Sequence, residues 1–164
     1  MHKITLCNGQ IVETACLSCS ITDGSILPDG GAIYESKHFH AHQDVAYPIR
    51  GLVILASKRH FVCLDEMNDE ELSDYMQALH RIRSAQREAL GIEHVYYFYN
   101  EDTTHHFHVW MVPRYEWMDE FGRSVESVRP VLRHARNNSN GELDIKCMHE
   151  AIHLLRSTLK DREE

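Results

Sequence analysis

His105-His106-Phe107-His108-Val109-Trp110-Met111-Val112-Pro113-Arg114 alternates ring-bearing polar residues with apolar ones and stops at a proline. A period of two is the mark of a strand, because successive side chains point to opposite faces. On that reading His106, His108 and Trp110 share one face, and His105, Phe107, Val109 and Met111 share the other. Pro113 cannot donate to a ladder, so the strand runs from His105 to Val112. Taken singly, a strand histidine is a polar position on a solvated face. Two in register, flanked by Val109, Met111 and Val112, point instead to a site.

Outward from this strand, Asn100 to Thr104 reads as a turn or loop, and Ile92 to Tyr99, β-branched and aromatic, as a strand. Asn68-Asp69-Glu70-Glu71 is a helix start, with an N-cap residue followed by acids that suit the dipole. Leu72, Tyr75, Met76, Leu79, Ile82 and Leu90 repeat at helical spacing until Gly91 ends the helix. Leu52 to Ala56 is a short apolar run, a strand buried on both faces. Lys37 to Val45 alternates, with His38, His40 and His42 on one face and Phe39, Ala41 and Gln43 on the other. Ala32 to Glu35 is a further strand after the turns of 22–25 and 28–31. The first thirteen residues are compatible with a small hairpin, but no pattern fixes them. A second helix covers Leu143 to Lys160, with Leu143, Met148, Ile152, Leu155 and Leu159 on its apolar face. The stretch from Tyr115 to Gly141 is polar and ambiguous, and Asn137 to Gly141 reads as a loop. The order of elements gives an α+β fold with a mainly antiparallel sheet, a central helix and a C-terminal helix.

The 164 residues are 43% hydrophobic and 26% charged, enough for one ordinary core, and are read as a single domain over 1–164. Seventeen basic against twenty-five acidic residues give a net charge of −8, which argues against a long nucleic-acid groove, since that needs many phosphates neutralised at once. A local site for a small phosphorylated ligand is not excluded. With no membrane-length apolar run and no signal-peptide pattern, a cytoplasmic protein without a membrane partner is expected. Five cysteines, two of them as Cys16-x-x-Cys19, fit metal or redox chemistry better than a disulfide framework. Cys7, Cys63 and Cys147 are expected as small buried hydrophobes. Thirteen histidines, clustered around 38–42, 60 and 105–108, mark where the function lies.

The stretch from His106 to Arg114 resembles the signature of the histidine triad (HIT) family, and the resemblance covers about a hundred residues, Cys16 to Arg114, as a core followed by a C-terminal extension over 115–164. Cys16-Leu17-Ser18-Cys19 is similar to the opening of bacterial members, Tyr34-Glu35 leads through a strand ending at Asp44, and Leu52 to His60 is similar to the family's apolar strand and Pro-Lys-x-His element, with Ser57 in place of the proline. The chain departs from the pattern at Trp110, where most members carry a third His. The related galactose-1-phosphate uridylyltransferases carry Gln there. The preceding loop also lacks the usual Gly-Gln pair and has Asp102-Thr103-Thr104 instead.

The resemblance implies a HIT-like fold and a structural zinc held by Cys16, Cys19, His60 and His106, a closed set with no position left for water. It implies His108 as a nucleophile that forms a nucleotidyl-histidine intermediate at an α-phosphate, its other nitrogen held by a hydrogen bond. Thr103, Thr104 and the Trp110 Nε1–H would supply donors to the phosphate. Asp44 matches the ribose-binding acid, with a turn-capping Asp as the alternative, and His42 falls in the base pocket. His38 and His40 extend that site or are exposed strand residues. The activity implied is a hydrolase or nucleotidyltransferase working on a nucleotide ester, anhydride or phosphoramidate such as a dinucleoside polyphosphate. The alternative is a zinc-stabilised nucleotide-binding module with little turnover, because Trp110 and the changed loop remove donors. The partner is a small nucleotide, and a homodimer is compatible with the family.

Overall fold

A computed structural model of the chain describes residues 1–102, 105–139 and 141–161. Strands β1 (His2–Thr5) and β2 (Ile11–Thr14) form a hairpin, followed by the short helix α1 (Leu17–Thr22). Strands β3 (Ala32–Glu35), β4 (Phe39–Gln43) and β5 (Val53–Ser57) lead to the long helix α2 (Asp69–Leu90). Strands β6 (Val95–Phe98) and β7 (His108–Pro113) come next, then helices α3 (Val125–Asn138) and α4 (Glu142–Lys160). Strands β3 to β7 make one antiparallel sheet in the order β3-β4-β5-β7-β6. The α+β architecture with a central and a C-terminal helix is as the sequence implies.

Helix α2 begins where a reciprocal capping box forms. Asn68 Oδ1 accepts from Glu71 N at 2.9 Å, and Glu71 Oε2 accepts from Asn68 N at 3.0 Å. It ends at Gly91, whose φ of 65° is the left-handed conformation that terminates helices. Two of its expected core positions are corrected: Leu72 and Met76 are exposed, while Glu71 is buried. The buried stripe runs through Glu71, Tyr75, Ala78, Ile82 and Ala85 at helical spacing, so Leu72 and Met76 lie one step off it, and the buried Glu71 has its charge paired with Arg59 (2.7 Å).

One face of the sheet, with Phe39, Ala41, Val53, Leu55, Phe107, Val109 and Met111, packs against α2 and α4. Leu143 is 77% exposed rather than in the apolar face of α4, since packing against the core begins only at Ile145. A second apolar cluster joins Ile49, Leu52, Val112 and Met118 to Val128, Val131, Leu132 and Ala135 of α3. The ambiguous stretch after Tyr115 therefore holds a helix. Asn137 and Asn138 belong to its last turn, where Asn138 Nδ2 donates to the His134 carbonyl at 3.0 Å.

Strand β7 starts at His108, not His105. The amide of Phe107 donates to Phe61 O at 2.7 Å and its carbonyl accepts from Ser57 N at 3.2 Å, so this segment is pinned to the chain after β5 before the alternation sets in. His105 consequently does not join the core face with Phe107. The other cysteines are corrected too: Cys7 and Cys63 are only partly buried, and Cys147 is exposed. No helix among the described residues is long and apolar enough to cross a membrane.

Candidate functional site

Four donors meet at the edge of the sheet. Cys16 and Cys19 come from the entrance and first turn of α1, His60 from the chain after β5, and His106 from the segment entering β7. Thr14 sets the entrance to the helix, its Oγ1 accepting from Cys16 N at 3.1 Å. His106 Nδ1 lies 3.3 Å from Cys16 Sγ, 3.5 Å from Cys19 Sγ and 3.2 Å from His60 Nδ1, and His60 Nδ1 lies 3.2 Å from Cys19 Sγ and 3.7 Å from Cys16 Sγ. Tetrahedral bonds of ~2.3 Å to sulfur and ~2.0–2.1 Å to nitrogen place ligand atoms about 3.3–3.8 Å apart, so the cluster fits zinc. His106 Nε2 donates to Ser57 O at 2.7 Å, which leaves Nδ1 with its lone pair for the metal. Burial and the adjoining Cys16 push the Cys19 thiol up to about 11, and a bound cation would relieve that strain by favouring the thiolate. Arg59 forks onto Glu71 with bonds of 2.7 and 2.8 Å and holds the chain next to His60.

The other sheet face is the floor of a cavity of about 380 Å³, walled by β1–β2, the start of α1 and the turn after β4. His108 lines it. Its Nδ1–H donates to the His106 carbonyl at 2.9 Å, so Nε2 carries a free lone pair, and burial holds the ring below the usual histidine range. Asp44 lines it as well, and the capping alternative is realised: Oδ1 accepts from Ala46 N and Tyr47 N, both at 2.8 Å. Its Oδ2 has no partner among the described residues. Burial raises this carboxyl to about 6, against the two amides that favour its charged form.

His42 is buried and lines the cavity, its Nδ1–H donating to Gln43 O at 2.7 Å. His40 stacks on it with ring centroids 5.5 Å apart and is buried, so its reading as an exposed residue is overturned. His38 stands before β4 and half-buried near Glu70, away from the cavity. Trp110 faces the cavity but also packs on Tyr47 (5.6 Å) and Phe98 (6.4 Å), joining the cluster under α3. Thr103 and Thr104 lie outside the described residues. Sequence reasoning missed His2, Ile4 and Thr14, which the hairpin lays along the cavity, and His105, whose ring stacks on His2 at 5.9 Å. Two four-residue strands carry too little periodicity to signal this. Ser57 was visible only as a departure from the family's proline, yet it orients His106.

No protein-family model matches the chain. An uncharacterised HIT-like protein of Methanocaldococcus jannaschii is 26% identical over 106 residues, 62% of this chain and 80% of its own length. Protein hit of Bacillus subtilis is 28% identical over 116 residues, 65% of this chain and 76% of its own. The crystal structure of a zinc-bound histidine triad family protein from Mycobacterium smegmatis superposes with a TM-score of 0.65 at 24% identity, covering 91% of this chain and 96% of that one. In sequence and in fold the chain is similar to HIT-family proteins. Within the HIT signature, the first triad position is His106, the second His108 and the third Trp110. The HIT fold accounts for the strand order and for the helix between β5 and β6.

Proposed function

We propose that this HIT-like protein is a nucleotide-binding hydrolase or nucleotidyltransferase acting at the α-phosphate of a nucleotide ester, anhydride or phosphoramidate, such as a dinucleoside polyphosphate. The observation that carries the reading is the His108 ring: one nitrogen is tied to the His106 carbonyl and the other is open to the cavity. Nε2 attacks phosphorus and forms the P–N bond as the bond to the leaving oxygen or nitrogen breaks, and the leaving group departs with that electron pair. The ring then carries positive charge, which the Nδ1–H bond to the carbonyl stabilises. Water or another acceptor attacks phosphorus in turn. The P–N electrons return to Nε2, and the acceptor's proton passes to solvent.

Asp44 Oδ2 would accept from the ribose hydroxyls while Oδ1 holds the turn, and His42 would contact the base. Trp110 Nε1–H, Thr103 and Thr104 remain the donors proposed for the phosphate. Zinc at Cys16, Cys19, His60 and His106 would be structural: the four ligands close the shell, and it would fasten α1 to the strand that carries His108. Residues 1–164 act as one domain in this reading, because α4 of the extension packs on α2 and β3. The partner is a small nucleotide.

One observation favours the binding module with little turnover. Trp110, at the third triad position, packs into the α3 cluster and so serves the fold. Incubation of the protein with adenylated and guanylated substrates decides between the two. The expected result is turnover, or a mass increase of one nucleotidyl group, that His108→Ala abolishes. Equal turnover in both proteins, or an adduct on another residue, refutes the nucleophile; binding with no turnover and no adduct leaves the module.

A further inference from the structure

The antiparallel register lines residues up in rows across the sheet. His40, Ala56 and His108 form one row, and His42, Ile54 and Trp110 form the next. Two residues along a strand advance about 6.6 Å, so a nucleotide whose phosphate meets His108 and whose bulk follows the strands lies over the second row. Ile54 and Trp110 are apolar floor there, and Tyr47 packs beside Trp110. His42 is the polar member of that row, and it is 3% exposed.

Its hydrogen-bonding state follows from one contact. The Gln43 carbonyl can only accept, so Nδ1 bears the proton and Nε2 bears a lone pair. That Nε2 has no partner among the described residues. His40 Nε2 is buried and orphaned away from the cavity lining, whereas the His42 ring borders the cavity. Burial takes the ring down to about 4, against the Gln43 carbonyl, so the lone pair is unprotonated at neutral pH. A buried acceptor among apolar walls demands a donor, and a ligand that fails to supply one leaves it unpaired at a cost.

We propose, resting on the nucleotide reading above, that His42 reads the base: Nε2 accepts a hydrogen bond from an exocyclic amino group, so the cavity selects amino-bearing bases. A base presenting a hydrogen at that point leaves the acceptor empty, and one presenting a carbonyl oxygen sets lone pair against lone pair. Asp44, two residues further along the chain, takes the ribose in the same reading, so neighbouring side chains contact adjoining parts of one ligand.

The test is calorimetric binding to three pairs that differ at an amino group: AMP against purine riboside 5′-monophosphate, GMP against IMP, and CMP against UMP. For the base that fits, the amino nucleotide binds about tenfold or more tightly. His42→Phe, which keeps a ring and removes the acceptor, brings the ratio to about one, and His42→Gln, whose amide oxygen accepts, keeps part of it. Should His42→Phe fail to fold, the wild-type ratios and His42→Gln decide. Nucleotides that bind equally within every pair overturn the base reading and leave the nucleotide site standing. A ratio that persists in His42→Phe overturns it as well. Failure of every nucleotide to bind overturns the nucleotide reading itself, and this inference with it.

Discussion

His106 and His108 are two residues apart on the segment entering β7, yet their ring nitrogens are engaged differently. His106 has both committed, Nε2 to the Ser57 carbonyl and Nδ1 to the Cys2His2 cluster. His108 has one committed, to the carbonyl of His106 itself, and the other faces the cavity. A carbonyl fixes the tautomer of each ring, and what the remaining nitrogen meets, three other ligand atoms or the cavity, distinguishes the two histidines. The two regions differ in assembly as well. The metal corner gathers four ligands that converge on one point and completes itself. The cavity draws its walls from β1, β2, β4, β5 and β7 and leaves Asp44 Oδ2, His42 Nε2 and His108 Nε2 without partners among the described residues.

The comparison breaks most visibly at the two histidines. His108→Ala lowers turnover about 10³-fold or more and costs the fold only about a few °C of melting temperature, because the ring contributes one hydrogen bond, Nδ1–H to the His106 carbonyl, and no zinc ligand. Cys19→Ser and His106→Ala do the opposite: elemental analysis finds the single equivalent of zinc lost, and the melting temperature falls by about 10 °C. A metal-free protein of unchanged stability would sink the structural role.

Trp110→His sharpens the boundary between site and core. A restored imidazole donor raises turnover about 10–100-fold, while the loss of indole packing on Tyr47 and Phe98 costs about 2 kcal/mol by chemical denaturation. Destabilisation with no gain in turnover would place Trp110 wholly with α3 and advance the binding-module reading.

The smallest effect concerns Asp44, whose carboxyl is raised to about 6 in the fold from 3.8 for an aspartate in the unfolded chain. A raised acid pKa stabilises the native state fully below 3.8, and that contribution is lost as pH rises through 6. Nucleoside binding runs the other way, since the ribose hydroxyls need the carboxylate. Between pH 7 and pH 5 nucleoside affinity therefore falls about tenfold as Asp44 takes up its proton, and Asp44→Asn removes that dependence. An equal pH slope in Asp44→Asn would assign it to another group.

Local rules carried far in this chain. The N-cap at Asn68 with its acidic first turn, the stop at Gly91 and the alternation of His108 to Val112 are decided by residues within a few positions of each other, and these features stand in the structure as the sequence implies. The metal ligands were legible for another reason: Cys16-x-x-Cys19, His60 and His106 match positions of a family, although 90 residues separate Cys16 from His106. Periodicity misled at the start of one helix and one strand. Leu72 and Met76 lie one step off the stripe that continues through Ala78, Ile82 and Ala85, and His105 borders the cavity because the ladder starts only at His108.

Tertiary structure decided the walls and what each free nitrogen meets. His106 bonds the carbonyl of Ser57, distant in sequence, while His42 and His108 bond carbonyls one and two residues away, and it is packing that fixes the ring orientations and sets the remaining nitrogens toward the metal corner or the cavity. The hairpin that lays His2 and Ile4 along the cavity has its own short pairing, but its placement rests on Leu6 entering the core and Cys7 N reaching Val45 O at 2.7 Å. The residue types that could do chemistry were set by the sequence, because composition and spacing are local. Which of their atoms are left to do it was set by the fold, because a hydrogen bond needs both partners in place.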